Sequence, residues 1–109
     1  MLATDKPHLV TEGFDHIIND PKGGTIGFQS IGTIDGQPCF NWLFEPGEYT
    51  PEVKEQGCWF YIEEGDGIFL RDGEKIKYHQ GKPIKVSPFS PHGFIRVDKK
   101  TIAHEVRDV

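Results

Sequence analysis

At 109 residues the chain fits one domain, read over 1–109. A net charge of −5 argues against a broad electrostatic footprint for nucleic acid, and no apolar run approaches the ~20 residues needed to cross a bilayer. Two cysteines are too few for a disulfide framework. With no basic-then-apolar leader, Cys39 and Cys58 are expected to be free thiols in the cytoplasm.

Residues 1–13 read as a lead-in, interrupted by Pro7, with Leu9 and Val10 as a short strand. Phe14 to Asn19 reads as an edge strand, and Asp20-Pro21-Lys22-Gly23-Gly24 as a loop. Thr25 to Ile34 alternates loosely and ends at Asp35-Gly36, the chemistry of a type I′ hairpin turn. Cys39 to Phe44 is the return strand, with Phe40, Trp42 and Phe44 on one face; that aromatic face is expected to line the interior. Cys58 to Glu63 forms the next strand, with Cys58, Phe60 and Ile62 inward and Trp59 and Tyr61 outward. Gly65-Asp66-Gly67 is read as a turn, Asp72-Gly73 as a second I′ hairpin, Ile84 to Val86 as a short strand, and Asp98 to Lys100 as a turn between two last strands. No window of 11 or more residues has helical periodicity. Many short strands, with turn signals every eight to twelve residues, predict an all-β barrel or sandwich, and 36% hydrophobic composition predicts a partly polar interior.

Over residues 45–97 the motifs resemble those of the cupin superfamily, small double-stranded β-helix (jelly-roll) barrels. That family's motifs read G-x5-H-x-H-x3,4-E-x6-G and G-x5-P-x-G-x2-H-x3-N. Gly47 matches the opening "PG" turn, Phe60 to Gly67 is similar to an "FYVLEGEG" strand end, Gly81 opens the second motif, and Pro91-His92-Gly93 resembles its "PHG" end. In this register the resemblance puts Glu52, Lys54, Cys58 and His92 where the family carries its metal-binding His, His, Glu and His. A lysine ammonium offers protons rather than a lone pair and repels a divalent cation, so no metal cofactor is expected.

The resemblance implies an all-β cupin-like barrel that binds a small polar or carbohydrate-like molecule. Glu52, Phe60, Trp42 and Phe94 are the expected ligand-binding residues. A further expectation is metal-independent acid/base isomerase or epimerase chemistry, with His92 moving the proton, Lys54 as electrostatic partner, and Cys58 or Tyr61 as secondary candidates. A nearby Lys54 or His92 charge would lower the Cys58 pKa, whereas a plain reading makes Cys58 a small buried hydrophobe. His92 likewise has a plain reading, a turn histidine packed between Pro91 and Phe94. Two alternatives stand beside this. One is a metalloenzyme with an altered site at Glu52, Cys58 and His92. The other is a non-catalytic sensor or interaction protein, favoured if Phe60, Phe89 and Phe94 fill the pocket. Trp59 and Tyr61 on an outer face predict a homodimer, with the N-terminal segment as the other possible cover. His8, His16, His79 and His104 have no ligand-like spacing and are read as surface or edge residues.

Overall fold

The computed structural model describes residues 16–108; the lead-in over 1–13, the expected strand at Leu9 and Val10, and His8 lie outside the described residues. This region is all strand and turn, without a helix: β1 (His16–Asn19), β2 (Thr25–Ile34), β3 (Gln37–Phe44), β4 (Gly47–Glu48), β5 (Cys58–Arg71), β6 (Glu74–His79), β7 (Ile84–Val86) and β8 (His92–Arg107). It therefore contains no helix long and apolar enough to cross a membrane. The strands pair antiparallel in the order β1-β2-β3-β8-β5-β6, with β4 added to β8 and β7 to β5. Both expected hairpins form. Asp35 and Gly36 sit at φ 52° and 79°, Asp72 and Gly73 at φ 52° and 77°, the left-handed values that a type I′ turn requires at both central positions.

Two expected turns are not turns. Gly65-Asp66-Gly67 lies inside the 14-residue β5, and Asp98 to Lys100 lies inside the 16-residue β8. The two strands pair along most of their length, with four register shifts between Ile62 and Phe69. Bulges there bend both strands together instead of ending them. Phe60 and Phe69 report the bend. On a flat strand nine residues would hold them about 30 Å apart, yet their ring centroids are 5.6 Å apart. Gly65, at φ 125°, supplies the left-handed backbone for this corner, and a Cβ on either Gly65 or Gly67 would overlap the facing strand β8.

The bend closes the sheet around an aromatic core. Phe94 is its hub, with centroids 4.6 Å from Phe44, 4.8 Å from Phe69, 5.0 Å from Tyr78 and 5.3 Å from Phe60. Most of these contacts are edge-on, a geometry that contributes about 0.5–1.5 kcal/mol per pair beyond area burial. The aromatic face of β3 does line the interior. Phe40, Trp42 and Phe44 stand opposite Glu105, Ala103 and Thr101 of β8, whose other neighbours include Phe60 and Ile62.

The reading of His104 is overturned: its side chain is fully buried. It sits on the face of β8 away from the aromatic core, flanked in register by Asn41 and Tyr61. A central strand leaves an imidazole there no route to water, so polar partners must be supplied. Nδ1 lies 2.9 Å from Asn41 Oδ1 and Nε2 lies 3.1 Å from Glu63 Oε1. His16 and His79 are exposed, as expected. Trp59 and Tyr61 share the outer face with His104, stack at 6.3 Å and are half-buried within one chain; the Lys85 ammonium lies 5.4 Å from the Trp59 ring centre.

Candidate functional site

Bending the sheet leaves a cavity of about 60 Å³ between its two halves. Ile26, Trp42, Phe44, Tyr49, Phe60 and Phe94 form most of the wall, and Thr50, Glu52 and Gly93 add to it. Strand parity delivers each of these groups. Trp42 and Phe44 alternate inward on β3, Phe60 does so on β5, and Phe94 on β8. Tyr49 is pinned by its hydroxyl, which donates to the Thr25 carbonyl at 2.9 Å and also lies against the Glu45 carbonyl. Trp42, Glu52, Phe60 and Phe94, taken from sequence as ligand-binding residues, are all brought to this one cavity.

Three of the four motif positions, Glu52, Lys54 and His92, are also linked beside the cavity, through the backbone first. Glu52 and His92 exchange both main-chain hydrogen bonds, at 2.8 and 2.9 Å. The Phe89 amide donates to the Lys54 carbonyl at 2.8 Å. The Lys54 ammonium then pairs with Glu52 Oε1 at 3.1 Å and stands 5.9 Å from the Trp42 ring centre. An ion pair and a cation over an aromatic face thus sit beside the cavity.

Cys58 departs from the reactive reading. Its side chain is buried, and burial pushes the thiol well above its ordinary pKa; the neighbouring Glu105 charge and a hydrogen bond to Glu105 push the same way. The Lys54 and Arg107 charges act in the opposite direction and are outweighed. Burial next to a carboxylate favours the protonated thiol, in keeping with the plain reading of Cys58 as a small buried group. Tyr61, the other secondary candidate, points to the outer face beside His104 and does not reach the cavity.

His92 is buried, with its ring centroid 6.3 Å from those of both Phe60 and Phe69. It stands behind the cavity wall rather than in it. Its Nδ1 lies 2.8 Å from the Ser90 carbonyl, which can only accept, so Nδ1 carries a proton; in the neutral tautomer the lone pair is then on Nε2. Phe89 does not fill the cavity. It is 67% exposed on the loop before β8, in a left-handed conformation at φ 61°.

A carboxylate that sequence reading passed over organises the interior. Glu105 is 1% exposed, accepts from Trp42 Nε1 at 2.9 Å and from Arg107 Nε at 3.1 Å, and its charge acts on the Cys58 thiol. The Arg107 guanidinium lies 4.1 Å from the Phe40 ring centre. Glu105 and Arg107 are two residues apart on one strand and so share a face. That spacing was the available signal, but by itself it does not say whether the shared face is buried or solvated.

This donor set does not fit the divalent metal that the cupin motifs hold elsewhere. Lys54 is an ion-paired ammonium and burial holds the Cys58 thiol protonated, so neither is a ready ligand where the motif places a His and a Glu. Among the described residues no group of three or more His, Cys, Asp or Glu side chains is arranged to bind a metal ion.

No family model and no curated protein sequence matches the chain. Solved structures do. A predicted oxalate decarboxylase from Thermotoga maritima superposes with a TM-score of 0.72 at 12% identity, covering 86% of this chain and 90% of its own. An RmlC-like cupin from Shewanella frigidimarina gives 0.68 at 18% identity, covering 93% and 89%. A cupin superfamily protein from Desulfitobacterium hafniense gives 0.65 at 16% identity, covering 74% of each. At these identities the likeness is one of fold. Jelly-roll topology, two long bent strands closing an aromatic interior, and superposition on solved cupins together identify the chain as a protein of cupin fold.

Proposed function

We propose that the chain binds a small polar or carbohydrate-like molecule at the aromatic cavity. The carrying observation is the wall itself: aromatic faces from three strands, with the Glu52–Lys54 pair at its edge. An apolar pocket with a few convergent polar groups is the usual form of a small-molecule site. Size restricts the pose. A cavity of roughly 150 Å³ holds a benzene ring, so about 60 Å³ takes only the edge of a ring. The rest of the ligand lies outside, where Thr50 and Glu52 accept or donate and Lys54 meets any negative group.

Titration with monosaccharides and sugar acids, read by tryptophan fluorescence in Trp59→Phe, tests this, because Trp42 is then the only reporter. A saturable change is expected for at least one class. Glu52→Gln is expected to weaken it about tenfold, the value of a lost charged hydrogen bond, and Trp42→Ala, read by titration calorimetry because its reporter is gone, to abolish binding. No saturation with any member overturns the reading.

A metal-independent isomerase or epimerase reading draws on the lone pair left on His92 Nε2. For proton transfer, Phe60 would have to give way, since His92 lies behind it. Binding without turnover needs no such movement and is the reading we favour. The altered metalloenzyme reading is disfavoured by the chemistry of Lys54 and Cys58.

The assembly we propose is a homodimer, supported by the half-buried, outward-facing Trp59 and Tyr61. The setting we propose is cytoplasmic, in keeping with two unpaired cysteines. Native mass spectrometry is expected to give a dimer mass without bound transition metal, and Trp59→Glu a monomer, because an unpaired carboxylate is costly to bury. A monomeric wild type, or one equivalent of metal, contradicts this part.

A further inference from the structure

We propose that a crevice on the opposite side of the barrel wall, between β6 and the segment Lys82 to Ile84, binds a small phosphate-type anion. This site is independent of the aromatic cavity. The crevice measures about 350 Å³; its floor includes Ile76, Tyr78 and Ile84, and four basic side chains, Arg71, Lys77, His79 and Lys82, line it. Among the described residues no carboxylate lines it.

Arg71 stands apart from the other arginines, while exposed lysines without an ion pair among the described residues, such as Lys22, Lys75, Lys99 and Lys100, also occur elsewhere on the surface. Of the three arginines, Arg96 is held by Asp98 and Arg107 by Glu105, and Lys54 and Lys85 have Glu52 and Asp108. Among the described residues no carboxylate lies within ion-pair distance of Arg71, Lys77 or Lys82. Glu74 stands opposite Arg71 in the β5–β6 ladder and still makes no ion pair with it. Arg71 is half-buried, and its single hydrogen bond, from Nη1 to the Lys85 carbonyl, is long at 3.4 Å. A partly desolvated guanidinium with most of its donors unused, beside two lysines and an imidazole, is complementary to a tetrahedral oxyanion.

The net charge selects a small anion over a polymer. At −5 the chain as a whole repels a long polyanion, whereas one concave cluster of three cations can neutralise one phosphate dianion. Inorganic phosphate and a phosphate monoester present the same oxygens. The pocket is open enough to leave a substituent in solvent.

The test is titration of the full chain with inorganic phosphate and, separately, methyl phosphate, by amide chemical-shift mapping at constant ionic strength. Saturable shifts confined to β6 and the Lys82 to Ile84 segment are expected with one or both ligands. Tighter methyl phosphate binding assigns a monoester, and tighter phosphate binding the free anion. Arg71→Gln is expected to weaken binding about tenfold or more. Lys77→Gln/Lys82→Gln, both at exposed positions, decides the matter should Arg71→Gln fail to fold, and is expected to weaken binding several-fold. Trp42→Ala should leave it unchanged. Absence of saturation, or affinity unaffected by the lysine pair and by Arg71→Gln, overturns the proposal.

Discussion

Glu105→Ala is expected to lower stability by about 3 kcal/mol. Removing one partner of a buried ion pair leaves the other uncompensated, at a typical cost of roughly 3–5 kcal/mol. The low end applies because the Arg107 side chain keeps 22% of its surface in water. The alanine also strips the acceptor from Trp42 Nε1. Glu105→Gln keeps an acceptor for the indole and loses only the charge, so its cost is expected near 1 kcal/mol. Urea titration of the three proteins separates these values. Equal stability of Glu105→Ala and wild type would show that Arg107 and Trp42 find other partners. Glu105 also holds the indole by its N–H, so fluorescence of Trp42 should shift in both variants, even where stability barely changes.

Gly67→Ala is expected to be more damaging still, costing over about 4 kcal/mol, a loss seen only for severe backbone or core conflict. A Cβ there would overlap the Arg96 carbonyl oxygen and press on the Tyr78 ring. The carbonyl belongs to β8, paired with β5 at that point, so neither strand can move without opening the ladder. Gly32→Ala is the control. Gly32 has φ 89° but open space around its missing side chain, so only backbone strain of about 1–2 kcal/mol applies. Thermal melts should place the two variants far apart, with Gly67→Ala recovered mainly as insoluble protein. A soluble Gly67→Ala melting near wild type would mean that the bend of β5 tolerates a side chain.

The turn-and-strand grammar was legible because it is local. Asp35-Gly36 and Asp72-Gly73 need no distant partner to adopt left-handed values, and the alternation of Cys58 to Ile62 sets which residues face inward. Those features, with the motif glycines, sufficed for the cupin fold and for Trp42, Glu52, Phe60 and Phe94 as neighbours. Tertiary structure decided the rest. Gly65-Asp66-Gly67 and Asp98 to Lys100 look like turns locally, but two paired strands can bend together only where both yield, and pairing is a long-range property. Burial reversed the expected chemistry of Cys58, because a thiol's acidity depends on the carboxylate that packing brings to it from 47 positions away. His104, solvent-facing by spacing, is buried because its strand is flanked on both edges. The same holds for Glu105 and Arg71: a charge's role depends on whether the fold supplies an opposite charge, and the fold gives Glu105 the Arg107 guanidinium, while among the described residues Arg71 has no carboxylate partner.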